Sequence, residues 1–277
     1  MQGRKDANAT LLHGLPYCLA LPGGLLKKSN FRNGGPYKCG GGAALEGLRL
    51  RAQEFFTRVG ARLEPGHIRF LNATINYLEV GRWLKSRGYA SAPRVPTRAD
   101  LHLDLANRFA ADKIVYLEFG VYRGASLRRW ADASPNPASE FHGFDSFQGL
   151  PEDWDPVRKK GTFNTNGALP QFDDARVFLH VGLFSETLPP FIPPRHDRLI
   201  INVDADLYSS ADCVLRRLEP HIRAGTVLLF DEFCDRMHEM RAFEEYLDRT
   251  GARFQFLSGT VNLGAVAFEC ASAREGR

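Results

Sequence analysis

Three short runs of the 277-residue chain are apolar without interruption: Ile114-Val115-Tyr116-Leu117, Leu199-Ile200-Ile201 and Val227-Leu228-Leu229-Phe230. A strand with one face in water alternates apolar and polar residues, so such uniform runs point to strands covered on both faces, as in a parallel sheet between helices. Related β-rich runs extend the series to seven expected strands: Ile114–Phe119, Phe141–Asp145, Val177–Val181, Leu199–Asp204, Val227–Asp231, Phe254–Leu257 and Ala265–Glu269. Only residues 258–264 separate the last two. That is too short for a crossover helix, so these two are expected to form an antiparallel hairpin at one edge. The fold class is therefore α/β, a seven-stranded, mostly parallel sheet with helices on both faces.

Ahead of the sheet, apolar residues recur at helical spacing over 43–56 (Leu45, Leu48, Leu50, Phe55) and 68–87 (Ile68, Leu71, Ile75, Leu78, Trp83, Leu84). Pro93 and Pro96 then interrupt the pattern before a short helix expected over 101–109. Residues 1–42, with nine glycines, read as a flexible tail, 43–110 as an N-terminal helical cap and 111–277 as the sheet domain. The net charge of +4 belongs to the tail: six Lys or Arg fall in residues 1–40 against one Asp, leaving 30 basic and 31 acidic residues elsewhere. The body therefore lacks the basic footprint that phosphate-backbone binding requires, and no nucleic-acid partner is expected. Five scattered cysteines suit neither a disulfide framework nor a zinc knuckle. His13, Pro16, Pro22 and Gly23-Gly24 break the apolar stretch Leu11–Leu26, and no run approaches the length of about 20 residues that a membrane span needs. A cytoplasmic protein without membrane attachment is expected.

In an open α/β sheet, ligands sit beyond the carboxyl ends of the strands, where strand order reverses. Four expected strands end there in acids: Glu118, Asp145, Asp204 and Asp231. The first loop reads Glu118-Phe119-Gly120-Val121-Tyr122-Arg123-Gly124-Ala125-Ser126. Gly120 would let a ligand approach the backbone, and Gly124 would let the next helix pack close to the strand. Tyr122 stands where a dinucleotide fingerprint needs glycine, and the Gly-Lys-Ser/Thr ending of a P-loop is missing. The remaining E-x-G-x-x-x-G pattern suits a nucleoside without a pyrophosphate. Asp145, in Phe144-Asp145-Ser146-Phe147-Gln148-Gly149, can accept both ribose hydroxyls or close an Asx turn, and Phe147 would lie near the adenine ring. His142 and His180, inside expected strands, read as packed or surface residues. Arg123, with Arg128 and Arg129, reads as part of a solvated helix face or as a contact for a ligand carboxylate, and Trp154 as part of a lid over 151–171.

Five ordered blocks resemble the class I S-adenosylmethionine-dependent methyltransferases, specifically the macrocin O-methyltransferase group. They are Glu118-Phe119-Gly120-Val121, Asp145-Ser146-Phe147-Gln148-Gly149, Gly182-Leu183-Phe184-Ser185-Glu186-Thr187-Leu188-Pro189, Asp204-Ala205-Asp206-Leu207-Tyr208 and Asp231-Glu232. The resemblance implies a Rossmann-like domain that binds S-adenosylmethionine through Glu118, Gly120, Tyr122, Ser126, Asp145, Ser146, Phe147, Gln148, Gly182 and Phe184. It further implies a divalent metal, Mg²⁺, on Asp204, Asp231 and Glu232, although related chains commonly carry Asp-Asp where this one has Asp231-Glu232. Hard carboxylate oxygens at neighbouring strand ends suit that ion. The expected reaction is methylation of a hydroxyl on a small-molecule or glycoside acceptor, with Asp204 as first candidate for the base and His238 as second. The cap helices are expected to support a homo-oligomer. The alternative is a non-catalytic binding protein that keeps the methyltransferase fold.

Overall fold

The computed structural model describes residues 42–89 and 91–272, so the expected tail, apart from Gly42, lies outside the described residues. The chain divides into two compact units, Met1–Ala61 and Arg62–Arg277. In the first, helix α1 (Gly42–Gly60) carries Leu48, Leu50, Phe55 and Phe56 as exposed side chains.

The second unit is built on one eight-stranded sheet in the order β1-β7-β8-β6-β5-β2-β3-β4. All seven expected strands are present: β2 (Ile114–Phe119), β3 (Glu140–Asp145), β4 (Val177–Val181), β5 (Arg198–Val203), β6 (Val227–Phe230), β7 (Arg253–Thr260) and β8 (Val266–Ser272). The count of seven is corrected by β1 (Arg94–Val95), two residues paired parallel to Gly259 and Thr260 of β7. Pro93 and Pro96, which signalled an interruption in the sequence, bracket this strand. A proline has no N–H for the ladder, so the pairing stops at both ends. Strands β7 and β8 form the expected antiparallel hairpin, with β8 inserted beside β6 and β1 bordering β7.

The uniform apolar runs do lie between two helical layers. Along β2, Val115, Leu117 and Phe119 face one core, while Ile114 and Tyr116 face the other. The first core is filled by the short α5 (Phe184–Thr187), α6 (Tyr208–Leu218), α7 (Glu239–Thr250) and the last turns of α2 (Pro65–Ser86), through Phe184, Val214, Phe243 and Trp83 among others. The second is filled by α3 (Arg98–Arg108) and α4 (Ala125–Ala133), through Leu101, Leu105, Leu127 and Trp130. Every residue of β2 and β6 is buried, as two-sided coverage requires.

Local chemistry fixes the helix ends near the sheet. A capping box starts α3: Thr97 Oγ1 accepts from the Asp100 N–H at 3.2 Å, and the Asp100 carboxylate accepts from the Thr97 N–H at 3.1 Å. Gly251, left-handed at φ 68, ends α7. The chain runs outward from β2 through β3 to β4 and returns to β5 on the other side of β2. The crevice this reversal opens lies at the carboxyl ends of β2 and β5. Among the described residues, no helix is long and apolar enough to cross a membrane.

Candidate active site

The loops after β2, β3 and β5, the start of α6 and the segment 151–171 enclose a cavity of about 540 Å³, a size typical of small-molecule sites. Gly120 is required by the close approach of two strand exits: at φ +99, a Cβ on it would stand 1.9 Å from the Asp204 carbonyl oxygen. Gly124, at φ +74, serves a different purpose from the expected strand contact. Its missing Cβ makes room for Phe172, which would otherwise lie 2.6 Å away.

Asp145 holds the glycine loop. Its Oδ2 accepts from the N–H groups of Val121 at 2.9 Å and Tyr122 at 2.8 Å, and its Oδ1 from the N–H of Phe147 at 2.7 Å. The last contact is an Asx turn; the first two clamp one strand exit to its neighbour. Tyr122, Phe147 and Asp206 adopt positive φ values of 51, 56 and 59° on three different loops around the crevice. Non-glycine residues held in that region persist where the surroundings over-determine them, and they gather at functional sites.

Beneath the loop, the Glu118 carboxylate is fully buried. It accepts hydrogen bonds from Tyr116 Oη at 2.6 Å, Ser126 Oγ at 2.8 Å and Asn202 Nδ2 at 3.4 Å. Burial raises its pKa to about 7 against the pull of those donors. Gly120, Tyr122, Ser126, Asp145, Ser146, Gly182 and Phe184 line the cavity, as do Arg123 and Trp154. Glu118, Phe147 and Gln148 do not. Phe147 is corrected outright as a neighbour of a bound ring: its left-handed backbone sends the side chain into the core with Leu101 and Trp130.

The opposite wall is acidic. Asp204 and Asp231 follow β5 and β6 directly, and with Asp206 and Glu232 they line the cavity. Facing them is Arg98, the first residue of α3, whose Nη1 contacts Asp204 Oδ2 at 3.1 Å and also pairs with Asp231 Oδ2. Burial, with the neighbouring Asp231 charge second, raises the Asp204 pKa against Arg98. Burial also raises that of Asp231, which Arg98 opposes. Asp206 is pushed up to about 7 by burial, then by Glu232 and Asp231, and Glu232 is raised by burial, then by Asp231. Four carboxylates thus share one cavity wall, with Arg98 between Asp204 and Asp231 and Arg158 acting on Asp206 and Glu232.

A fifth carboxylate shapes this wall from behind. Glu239, wholly buried at the start of α7, accepts four backbone hydrogen bonds. Ala205 and Asp206 donate to its Oε1 at 3.1 and 3.2 Å, and Asp231 and Glu232 to its Oε2 at 3.0 Å each. Burial raises its pKa strongly, against those donors. His238 lies outside the cavity lining. Its Nδ1 accepts from the Tyr208 N–H at 3.3 Å, and its ring sits 6.0 Å from that of Trp154.

The sequence reading missed Arg98, Asp206 and Glu239. Arg98 carried a signal, because a cation at the first position of a helix opposes the macrodipole and calls for another reason to be there. Asp206 stood inside the Asp204-Ala205-Asp206 block with no assigned role. Glu239 looked like an ordinary first-turn acid.

Among the described residues, no three His, Cys, Asp or Glu side chains converge closely enough to hold a metal ion. Asp204 and Asp231 are instead arranged around the Arg98 guanidinium, a resident cation between the two strand ends. The wall supplies hard carboxylate oxygens, the donor type a divalent ion takes, without gathering three of them at one point. For a nucleoside cofactor, the corresponding fit is the stretch of cavity wall formed by Gly120, Val121 and Tyr122, whose loop Asp145 holds in place.

Residues 117–233, less than half of the chain, match the family model described as "Methyltransferase domain". The chain therefore carries a methyltransferase domain and is an enzyme. Among solved structures, the calicheamicin methyltransferase CalS11 is 24% identical, with 61% of this chain and 77% of that one covered and a TM-score of 0.51. The O-methyltransferase NovP is 18% identical, with 74% and 99% covered and a TM-score of 0.49. An O-methyltransferase from Bacillus cereus in complex with SAH is 13% identical, with 71% and 90% covered and a TM-score of 0.41. The CalS11 likeness shows a shared Rossmann-like methyltransferase fold. No curated protein matches the chain.

Proposed function

We propose that the enzyme moves a methyl group from S-adenosylmethionine to a hydroxyl oxygen of a small-molecule or glycoside acceptor, as macrocin O-methyltransferases do, with Mg²⁺ held by Asp204, Asp231 and Glu232. One observation carries this reading: a single cavity has a glycine loop fastened by Asp145 on one side and four carboxylates on the other. The first wall suits a nucleoside, and the second suits a polar acceptor that must lose a proton.

On this reading the nucleoside lies against Gly120, Tyr122 and Ser146, with its ribose toward Asp145. Asp145 keeps spare acceptor capacity, since each carboxylate oxygen has two lone-pair sites and Oδ1 receives one donor from the chain. Apolar surface from Tyr122, Phe163, Trp154 and Phe184 excludes water around the reacting atoms. Bound there, the cofactor supplies an electrophilic methyl group and the cation a Lewis acid that lowers the pKa of the acceptor hydroxyl. Asp204 would take the hydroxyl proton as the oxygen forms its bond to the methyl carbon and the carbon–sulfur bond of the sulfonium breaks, with S-adenosylhomocysteine leaving. His238, outside the cavity lining and engaged by the Tyr208 N–H, is the weaker candidate for that proton. Exposed Ile68, Phe70, Leu71, Ile75 and Leu78 on α2 support a homo-oligomer through that helix, which sedimentation measures directly.

Calorimetric titration of S-adenosylmethionine, with and without Mg²⁺, tests the cofactor assignment. Wild type is expected to bind in the micromolar range and Asp145→Ala at least about 30-fold more weakly, the equivalent of about 2 kcal/mol. No binding by folded wild type in either condition overturns the proposal.

A further inference from the structure

A second cavity, of about 550 Å³, lies beside the Arg98–Asp231 pair, between the start of α3, the loop after β6 and the β7–β8 turn. Arg98, Asp231 and Glu232 line both cavities, so the two share one sill. The turn that forms the rim is fastened to its neighbours. The Gly264 carbonyl accepts from the Phe233 N–H at 2.9 Å, and the Val95 carbonyl from the Val261 N–H at 3.1 Å, which ties the turn to the loop after β6 and to β1. Within the turn, Asn262 Oδ1 accepts from Thr260 Oγ1 at 2.7 Å and from the Gly264 N–H at 3.2 Å. The amide oxygen is thereby held on the turn, and Asn262 Nδ2 donates to nothing among the described residues. The sill is uncommitted in the same way. Arg98 reaches the two aspartates through Nη1 alone, which leaves Nε and Nη2 without an acceptor among the described residues, and no donor among them reaches the Glu232 carboxylate.

We propose that this second cavity holds the body of the acceptor, a neutral, polyhydroxylated sugar ring whose reacting hydroxyl reaches over the Arg98–Asp231 sill into the first cavity. The proposal rests on the methyl-transfer reading and adds to it where the acceptor lies and what charge it carries. Room is the first support. Transfer needs two ligands at once, and a nucleoside with a methionine tail is itself of the size that a cavity of about 540 Å³ encloses. The acceptor must then find most of its contacts elsewhere, and the second cavity adjoins the acids that line the first. The uncommitted groups are the second support. Asn262 Nδ2 and Arg98 Nε and Nη2 are donors, Glu232 is an acceptor, and all three residues line this cavity. A hydroxyl gives and takes hydrogen bonds at one atom, so a ring bearing several of them matches that mixed set. A carboxylate or phosphate suits Arg98 but meets Asp231 and Glu232, and an ammonium suits Glu232 but meets Arg98. Charge of either sign is thus opposed, and a neutral sugar is not. Pro96, Val261 and Ala265 add apolar contact for the C–H face of such a ring.

The test uses three probes that share one ring: methyl β-D-glucopyranoside, the corresponding methyl glucuronide and, in its ammonium form, methyl glucosaminide. Each is titrated into isotope-labelled protein with S-adenosylhomocysteine present, and the side-chain amide resonances of Asn262 are followed, assigned by their loss in Asn262→Asp. That variant keeps an acceptor for the turn and removes only the free donor. The neutral glucoside is expected to bind in the millimolar range and to shift the Asn262 amide, with both charged probes at least about fivefold weaker. Asn262→Asp is expected to weaken the glucoside about threefold or more and to change the Kd for S-adenosylmethionine by less than about twofold. No shift at about 50 mM glucoside, equal binding of all three probes, or a variant that loses cofactor and glucoside affinity together overturns the proposal. Should Asn262→Asp fail to fold, the order of the three probes, read by saturation transfer from wild type to each, decides by itself. S-adenosylmethionine titrated into the same protein keeps the two readings apart. Cofactor binding without a glucoside response overturns this proposal alone, whereas a glucoside response without cofactor binding overturns the methyl-transfer reading and leaves a sugar site.

Discussion

The carboxyl ends of β2 and β3 and those of β5 and β6 both carry acids at or beneath one cavity, yet their charges are met in opposite ways. Glu118 and Asp145 receive all their hydrogen bonds from groups within or beside their own strands and loops: Tyr116, Ser126 and Asn202 for the first, three backbone N–H groups for the second. Asp204 and Asp231 instead depend on one guanidinium carried by a helix that precedes β2. Donors fixed in the backbone complete the first wall when the chain folds. The second is completed only when a residue from a distant part of the chain reaches the two strand ends.

The largest effect is expected where the second wall is built like the first. Glu239 accepts four backbone N–H groups from the loops that carry Ala205, Asp206, Asp231 and Glu232. Glu239→Ala leaves those donors without their acceptor and is expected to cost roughly 3–5 kcal/mol by urea denaturation. Glu239→Gln keeps one acceptor oxygen and should fall between the variant and wild type. A loss under about 1 kcal/mol for Glu239→Ala would show that the acidic loops hold their shape without it, and the contrast would then rest on Arg98 alone.

Next in size is the pH dependence of stability, which separates the walls directly. The folded pKa of Glu118 is about 7 against an ordinary 4.5. The folded state therefore binds the extra proton between those values, and stability is fully present below about pH 4.5 and lost as pH rises through 7. The difference corresponds to roughly 3 kcal/mol. Asp204, Asp231 and Glu232 are shifted in the same direction and add to the same slope. Glu118→Gln is expected to remove its share of the slope whether or not Mg²⁺ is present, whereas Mg²⁺ should flatten only the share of the second wall. Denaturation curves at pH 5 and pH 8 measure both. A Glu118→Gln slope equal to that of wild type would place the burden entirely on the β5–β6 side.

The two walls also differ in how legible they were in the sequence. Uniform apolar runs gave β2, β5 and β6 because burial on both faces leaves no polar position to mistake, and the glycine loop followed from short-range chemistry. Asp145 was readable as an Asx residue because its Phe147 contact spans two positions. Phe147 was misread because nothing about a phenylalanine announces the φ of 56° that turns it into the core. Arg98 and Glu239 escaped for another reason. Arg98 meets Asp204 and Asp231 across 106 and 133 residues, and the carboxylate of Glu239 reaches Ala205 across 34. Such pairings depend on sheet order, which local periodicity does not encode, and the two residues of β1 are too few to have a period at all.

The smallest effect concerns the residue that borders both walls. Trp154 is 7% exposed, lines the cavity and carries the Arg158 guanidinium 3.2 Å from its ring centroid, while its indole Nε1 has no hydrogen-bond partner among the described residues. Trp154→Phe keeps an aromatic ring beneath Arg158 and removes only a donor that folding leaves unsatisfied. Loss of ring volume and relief of that donor offset each other, so stability should change by no more than about 1 kcal/mol. If the indole donor is completed by an acceptor oxygen, the variant should raise the KM for the acceptor about three- to tenfold and change the Kd for S-adenosylmethionine by less than about twofold, the loss expected for one neutral hydrogen bond. A weakened cofactor Kd with an unchanged acceptor KM would instead assign Trp154 to the nucleoside side and move the boundary between the two walls across the lid.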